Sequence, residues 1–198
     1  YSPPADCGPQ VVQAIVRDCA QPVIDELKKR GTPYRGCLYV QVMLTPDGPR
    51  VVEYNARFGD PEAQVVLPLL KTDLVDLLMA CTRGGLASWQ PEWTASATVG
   101  VVMASGGYPG PYQKFRRISG LSRLDPGIIP FHAGTAYQRG DFFTTGGRVL
   151  TIVGTGPDVS EARRRVYSNV DRISFDGSFY RHDIAETAVA TAGVAKET

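Results

Sequence analysis

The spacing of apolar residues predicts a helix at the start of the chain and a hairpin after it. Over residues 9–30, apolar positions recur every three or four residues, which places them on one stripe of a helix. Gly31 follows directly and ends the helix as a C-terminal cap. Residues 36–44 and 50–55 are rich in β-branched and aromatic residues, and the turn sequence at 46–49 predicts that they pair as a hairpin.

Two capping signals predict helices beyond the hairpin. Asp60 is followed by Pro61, which reads as an N-cap with proline at the first helical position. Asp73 opens a second helix with an apolar stripe, and Gly84-Gly85 closes it.

The second half of the chain is richer in glycine and in strand-forming residues. Its strongest strand signals are Ala97–Ala104 and 148–153. A segment with both tryptophans and a proline precedes it, so we expect a domain boundary near Glu92, with one domain over residues 1–91 and another over 92–198. Helices and hairpin-connected strands together predict an α+β fold.

One more helix is predicted near the C-terminus. Asp158 and Ser160 are its capping residues, and the run Arg163-Arg164-Arg165 is expected on its outer, solvated face. Beyond Ile184 the Ala- and Thr-rich end is expected to be frayed.

Composition narrows the class of partner. The chain has 198 residues, 43% of them hydrophobic, and 21 Lys and Arg balance 20 Asp and Glu. Without a basic field we expect no nucleic acid and no membrane as partner, and a small molecule is favoured. No apolar run approaches the ~20 residues needed to span a bilayer. The four cysteines lack metal-ligand spacing, so they are interpreted as reduced core thiols of a cytoplasmic protein.

The densest chemical signal lies at the end of the predicted hairpin, in the run Glu53-Tyr54-Asn55-Ala56-Arg57-Phe58-Gly59-Asp60-Pro61-Glu62. Because strand side chains alternate between faces, Glu53, Asn55 and Arg57 point the same way. A carboxylate and an amide oxygen suit hard cations such as Mg²⁺, which retain substrate phosphates in their shell. Arg57 could stabilise charge on a transferring phosphoryl group, although a merely solvated strand face carries the same pattern.

At these residues the chain resembles glycinamide ribonucleotide synthetases, the phosphoribosylamine-glycine ligases of the ATP-grasp superfamily. The resemblance runs from Tyr1 to about Ile184. After the Glu53–Glu62 run, it is carried by four further motifs in the family's order: Val102–Gly110, Phe131–Thr135, Gly146–Leu150 and Tyr180–Ile184.

The resemblance implies a fold, a reaction and a set of site residues. The fold would be the C-terminal part of an ATP-grasp domain followed by a small β-rich domain. The enzymes of this family use ATP to join glycine to 5-phosphoribosylamine in purine biosynthesis, through glycyl phosphate. By position, Glu53 and Asn55 correspond to the ligands of Mg²⁺ or Mn²⁺. Arg57 would act at the ATP phosphates and the acyl phosphate, and Asp60 would lie near the substrate.

The glycine-rich turns give weaker signals. Ser105–Gly110 and 145–148 lack the spacing of a phosphate-binding loop, and each singly is more often a tight turn. Together, beside Arg148, they could form a nest for the substrate's phosphate. By resemblance, His132 and Gly134 would line the phosphoribosylamine pocket, whereas His182 is interpreted as structural.

The family's enzymes also have an N-terminal substrate domain and an adenine-binding subdomain, and neither is present before Tyr1. We therefore expect that the missing N-terminal half is a partner of this chain and that the chain alone is inactive. Two alternatives stay open: another ATP-grasp carboxylate-amine ligase of nucleotide synthesis, and a non-catalytic binding or assembly module.

Overall fold

The computed structural model describes residues 1–5 and 7–194. The chain divides into two compact units. The first, here called the hairpin unit, comprises residues 4–63 and 70–94. The second, here called the sheet unit, comprises residues 1–3, 64–69 and those from 95 onward. The mixture of helices with antiparallel sheets confirms the α+β expectation.

The predicted first helix of the hairpin unit is interrupted. It consists of α1 (Pro9–Ile15), one π-helical turn (Val16–Ala20) and α2 (Gln21–Lys29). Pro22 lies at the start of α2 and has no N–H to continue an α-helical ladder, which is a physical reason for the wider turn before it. Gly31 has a φ of +78° and ends the helix as predicted.

The hairpin is formed by β1 (Tyr39–Thr45) and β2 (Gly48–Asn55), which pair antiparallel. The prediction of a hairpin is therefore confirmed, although β1 starts later than the sequence pattern indicated. A register shift lies between Gln41 and Val42. On the face opposite to Glu53, the hydroxyl of Tyr54 donates to the carbonyl of Cys19 at 2.8 Å, which joins β2 to the π-helical turn.

The two predicted capping signals differ in outcome. Asp73 caps α4 (Leu74–Arg83) by accepting from the N–H groups of Val75 and Asp76, and Gly84 ends that helix with a φ of 75°, as predicted. By contrast, α3 (Glu62–Val66) starts one residue after Pro61, so Pro61 is not the first helical residue as the sequence analysis expected. The Asp60–Pro61 peptide bond in the preceding turn is cis.

The sheet unit is built on two three-stranded antiparallel sheets. In the larger sheet, β8 (Arg148–Gly156) is central and pairs with β3 (Ala97–Ala104) and β5 (Ile129–His132). The two predicted strands are β3 and β8, and β8 continues three residues beyond its predicted end. In the smaller sheet, β7 (Asp141–Thr144) lies between the two strands β4 (Arg117–Ile118) and β6 (Thr135–Gln138).

One helix, α5 (Val159–Val170), covers a face of the larger sheet. Asp158 is its N-cap and accepts from the N–H of Glu161 at 2.9 Å, whereas Ser160 lies inside the first turn rather than at the cap. Gly154 faces the helix, and a Cβ there would lie 3.0 Å from the carbonyl oxygen of Ala162. The strand therefore needs glycine at this point for the helix to pack closely.

The arginines of α5 do not form the outer face that the sequence predicted. Arg163 donates to the carbonyls of His182 and Ile184, and Arg165 donates to that of Thr155, so both fasten neighbouring segments to the helix. Arg164 instead forms an ion pair with Glu161 on the helix surface. Charge alone could not predict this because carbonyl groups from distant segments come close only in the folded chain.

The C-terminal segment was expected to be frayed from residue 185, but residues Glu186–Val194 form the helix α6. Residues 195–198 lie outside the described residues. The cysteines are all free thiols, and only Cys19 is buried, so the prediction of four core thiols is wrong for Cys7, Cys37 and Cys81, which are half-buried. In the described part of the chain, no helix is long and apolar enough to span a bilayer.

Candidate functional site

The seven residues singled out by sequence fall in both units. Glu53, Asn55, Arg57 and Asp60 belong to the hairpin unit, and His132, Gly134 and Arg148 belong to the sheet unit. Each group is described within its own unit.

The two candidate metal ligands touch one another. Asn55 Nδ2 donates to Glu53 Oε1 at 2.6 Å, across one alternation of β2. Their side chains are therefore on one face of the strand, as the sequence pattern predicted. Glu53 is exposed and Asn55 is half-buried.

The chemistry of this pair fits a hard cation. Glu53 offers carboxylate oxygens, and a half-turn of the Asn55 amide presents its oxygen in place of its nitrogen. Among the residues that the structure describes, no three His, Cys, Asp or Glu side chains are grouped to hold a metal. A pair of protein oxygens is the kind of partial shell that Mg²⁺ completes with water and substrate phosphates.

Arg57 and Asp60 lie in the loop between β2 and α3. Because β2 ends at Asn55, the expectation that strand alternation aligns Arg57 with Glu53 and Asn55 is wrong for Arg57. Arg57 is exposed, and its guanidinium donates to the carbonyl of Phe58 at 2.8 Å. Asp60 is also exposed. Gly59, between them, is buried, and its carbonyl accepts from the N–H of Ala63 at 3.0 Å.

Two further residues at this face were not singled out by sequence. Tyr39 is the cross-strand partner of Asn55, and its hydroxyl donates to Glu62 Oε1 at 3.0 Å. Burial, followed by the hydrogen bond to Glu62 and the charges of Glu62 and Glu53, raises the pKa of Tyr39 to about 12. Glu62 lies inside the motif but had no assigned role. The register of β1 on β2 is the signal that could have identified Tyr39.

In the sheet unit, the two glycine-rich turns contact each other. Ser105 donates through its N–H to the carbonyl of Gly147 at 2.8 Å and through its hydroxyl to that of Gly146 at 2.9 Å. A Cβ at Gly147 would overlap the ring of Tyr108. These glycines therefore allow two turns and an aromatic ring to pack at backbone distance.

Gly134 packs against the second of these glycine-rich turns. Its N–H donates to the carbonyl of Arg148 at 3.0 Å, and its carbonyl accepts from the N–H of Thr145 at 2.7 Å. A Cβ at Gly134 would lie 2.6 Å from the Cα of Gly146. Arg148 starts β8 and is half-buried. Thus Gly134 and Arg148 are adjacent, and their backbones are joined by a hydrogen bond.

His132 belongs to an aromatic group on the sheet unit. Its ring centroid lies 4.5 Å from that of Phe142, which in turn lies 4.9 Å from that of Tyr137. Its Nδ1 is 2.9 Å from the hydroxyl of Thr135. Partial burial against these neighbours lowers the pKa of His132, so the neutral imidazole is favoured near neutral pH.

Two protein-family models match this chain, and they identify the class of protein. Residues 1–63 match the model described as "Phosphoribosylglycinamide synthetase, ATP-grasp (A) domain", so the chain includes part of an ATP-grasp domain. Residues 98–187 match "Phosphoribosylglycinamide synthetase, C domain". Over these two stretches the chain belongs to the phosphoribosylglycinamide synthetase family, as its motifs indicated.

Individual relatives agree with that assignment. The phosphoribosylamine-glycine ligase of Streptomyces coelicolor is 46% identical over 193 residues, which are 95% of this chain and 46% of that protein. The trifunctional purine biosynthetic protein adenosine-3 of Gallus gallus is 46% identical over 96% of this chain and 19% of its own length. This chain spans at most about half the length of such relatives.

A solved structure from the same family has a similar fold. The phosphoribosylamine-glycine ligase of Thermotoga maritima superposes with a TM-score of 0.69 at 38% identity, over 79% of this chain and 39% of that one. Urea carboxylase of Kluyveromyces lactis superposes with a TM-score of 0.63 at 15% identity, which shows likeness of fold alone.

Proposed function

We propose that this chain is the C-terminal part of a phosphoribosylamine-glycine ligase that acts in the cytoplasm in purine biosynthesis. In the first step, a glycine carboxylate oxygen attacks the γ-phosphorus of ATP and ADP leaves. In the second, the amine of 5-phosphoribosylamine attacks the carbonyl carbon of glycyl phosphate and phosphate leaves. The hairpin unit would then be the remnant of the ATP-grasp domain and the sheet unit the C domain.

The observation that carries this proposal is the contact between Glu53 and Asn55 on one face of β2, within the stretch that matches the ATP-grasp domain. The two side chains would hold Mg²⁺ or Mn²⁺, which supplies positive charge to the phosphate oxygens. Arg57, in the next loop, would bind the ATP phosphates and stabilise the charge that develops on the transferred group. Asp60, in the same loop, would contact the substrate.

In the sheet unit, Arg148 would bind the phosphate of phosphoribosylamine, with His132 and Gly134 beside it. Three features support this assignment. Arg148 is half-buried, it follows a Gly-Gly turn, and its backbone carbonyl accepts a hydrogen bond from the N–H of Gly134. A guanidinium gives a phosphate two parallel, charge-assisted hydrogen bonds, which a lysine cannot match.

The test is an assay of ligation by the chain with and without the remainder of a ligase. The chain alone should give neither ADP nor glycinamide ribonucleotide from ATP, Mg²⁺, glycine and fresh phosphoribosylamine. Positioning of substrates can contribute about 7 to 11 kcal/mol to such catalysis, and the residues that precede the matched region in relatives contribute to it. Fusing that N-terminal part of the Streptomyces coelicolor ligase to this chain should restore both products.

Two outcomes would replace the proposal. A folded fusion that forms ADP with another acid or amine, and not with glycine and phosphoribosylamine, would indicate a different ATP-grasp ligase. A folded fusion that binds ATP and turns over none of these substrates would indicate a non-catalytic module. The intact Streptomyces coelicolor ligase is the positive control for the assay.

A further inference from the structure

The loop that carries Arg57 is tied to one tyrosine at both of its ends. The loop, residues 56–61, connects Asn55 at the end of β2 to Glu62 at the start of α3. At its first end, Asn55 pairs with Tyr39 in the register of the hairpin. At its other end, Glu62 Oε1 accepts from the hydroxyl of that same Tyr39 at 3.0 Å.

The middle of the loop is held against these two side chains. Gly59 is buried, and a Cβ at this position would overlap the carboxylate of Glu62 and lie 3.1 Å from Cε2 of Tyr39. Gly59 does not adopt a positive φ, so what a Cβ would meet here is these two side chains and not a backbone restriction. Its carbonyl also accepts from the N–H of Ala63. The Tyr39 ring and the Glu62 carboxylate thus form the surface on which the loop rests.

We propose that Tyr39 and Glu62 are a positioning pair that holds the Arg57 loop in place at the end of β2. This inference rests on the proposed function, because Arg57 matters only if a phosphoryl group is transferred there. The pair acts through Arg57 and touches no reacting atom. Its effect on rate follows from geometry, since a displacement of about 1 Å in a positioned group can cost about a hundredfold in rate.

A matched control lies on the other strand of the same hairpin. The hydroxyl of Tyr54 also donates a single hydrogen bond, to the carbonyl of Cys19 at 2.8 Å, from the opposite face of β2. Tyr39→Phe and Tyr54→Phe therefore remove one phenolic hydroxyl each from the same hairpin. A difference in behaviour between the two variants is therefore due to where the lost hydrogen bond lies, because both variants lose one.

The first measurement is hydrogen–deuterium exchange on the chain itself. In Tyr39→Phe, amide exchange at Ala63 should rise about tenfold, the effect of losing about 1.4 kcal/mol of local stability from one bond to a charged group. This amide reports the loop because its N–H donates to the carbonyl of Gly59. In Tyr54→Phe, exchange at Ala63 should match that of the parent chain. Unchanged exchange at Ala63 in Tyr39→Phe would overturn the inference.

The second measurement is steady-state kinetics of the fusion described above. Tyr39→Phe should lower kcat about tenfold and leave the KM for phosphoribosylamine unchanged, whereas Tyr54→Phe should alter neither. Glu62→Gln keeps an oxygen that can accept from Tyr39, so it should retain more activity than Glu62→Ala. Faster loop exchange with an unchanged kcat would reduce the pair to a structural contact and overturn the positioning role.

Failure of this inference and failure of the proposed function are separable. A parent fusion without ligation contradicts the proposed function before any Tyr39 variant is made. An active parent fusion with equal kcat in Tyr39→Phe and Tyr54→Phe contradicts only the positioning pair. The exchange measurement needs no activity and reports the loop in either case.

Discussion

The side-chain amide of Asn55 lies 2.6 Å from a carboxylate oxygen of Glu53, two residues earlier on the same strand. When the Asn55 amide is turned so that its oxygen replaces its nitrogen, that oxygen and the Glu53 carboxylate lie close enough to contact one cation together. The contact therefore makes the metal assignment specific enough to test.

Glu53→Gln should lower turnover of the fusion at least a hundredfold, or about 2.7 kcal/mol at 1.36 kcal/mol per decade. The substitution preserves size and removes the charge that would bind the cation. Titration of the rate with Mg²⁺ should show a higher requirement in the variant. Overlapping titration curves at equal rates would mean that the metal is held elsewhere.

Arg148→Ala should mainly raise the KM for phosphoribosylamine, because the guanidinium is proposed to bind the phosphate of that substrate. Arg181→Ala is a suitable control, since this arginine of the same unit is exposed and pairs with Asp183 at the surface. The measurement is the KM for each substrate in the fusion. If the KM for phosphoribosylamine is unchanged in a folded Arg148→Ala variant, Arg148 does not bind it.

Gly134→Ala should destabilise the sheet unit by about 2 kcal/mol, within the range for overpacked sites. A Cβ there would meet three backbone atoms of residues 146 and 148 at 2.6 to 2.7 Å, and backbone cannot swing aside. Gly146→Ala should cost less, because its nearest such atom is 3.0 Å away. Urea unfolding of both variants gives the two free energies. Equal losses would contradict this account of Gly134.

Stability of the sheet unit should fall between about pH 10 and pH 12 because of Tyr180. Burial and the hydrogen bond to Asp171 raise the pKa of Tyr180 from 10.0 to about 12. Below pH 10 the phenol is protonated in both the folded and the unfolded chain, so Tyr180 makes its full contribution to the free energy of unfolding. Above pH 10 the unfolded chain releases the phenol proton first, and this contribution is lost as the pH passes the pKa of Tyr180 in the folded chain. In Tyr180→Phe this part of the pH dependence should be absent from the unfolding free energy. An identical alkaline profile would contradict the assignment.

The sequence determined the elements whose signals are local. The helix cap at Asp73, the glycine that ends α2 and the alternation that puts Glu53 and Asn55 on one face all depend on residues a few positions apart. Such features follow from backbone geometry and neighbouring side chains, so a pattern suffices to predict them. The motifs were enough to indicate the family as well.

Contacts between distant segments were decided by tertiary structure. Tyr39 and Glu62 are 23 residues apart, and only the hairpin register and the loop bring the hydroxyl to the carboxylate. Likewise the sequence indicates a solvated helix face at Arg163 and Arg165, but in the folded chain both donate hydrogen bonds to backbone carbonyls of other segments. Whether a hydrogen bond forms depends on differences of a few tenths of an ångström in the distance between donor and acceptor. Packing of the whole unit fixes that distance, and a linear pattern of residues does not contain it.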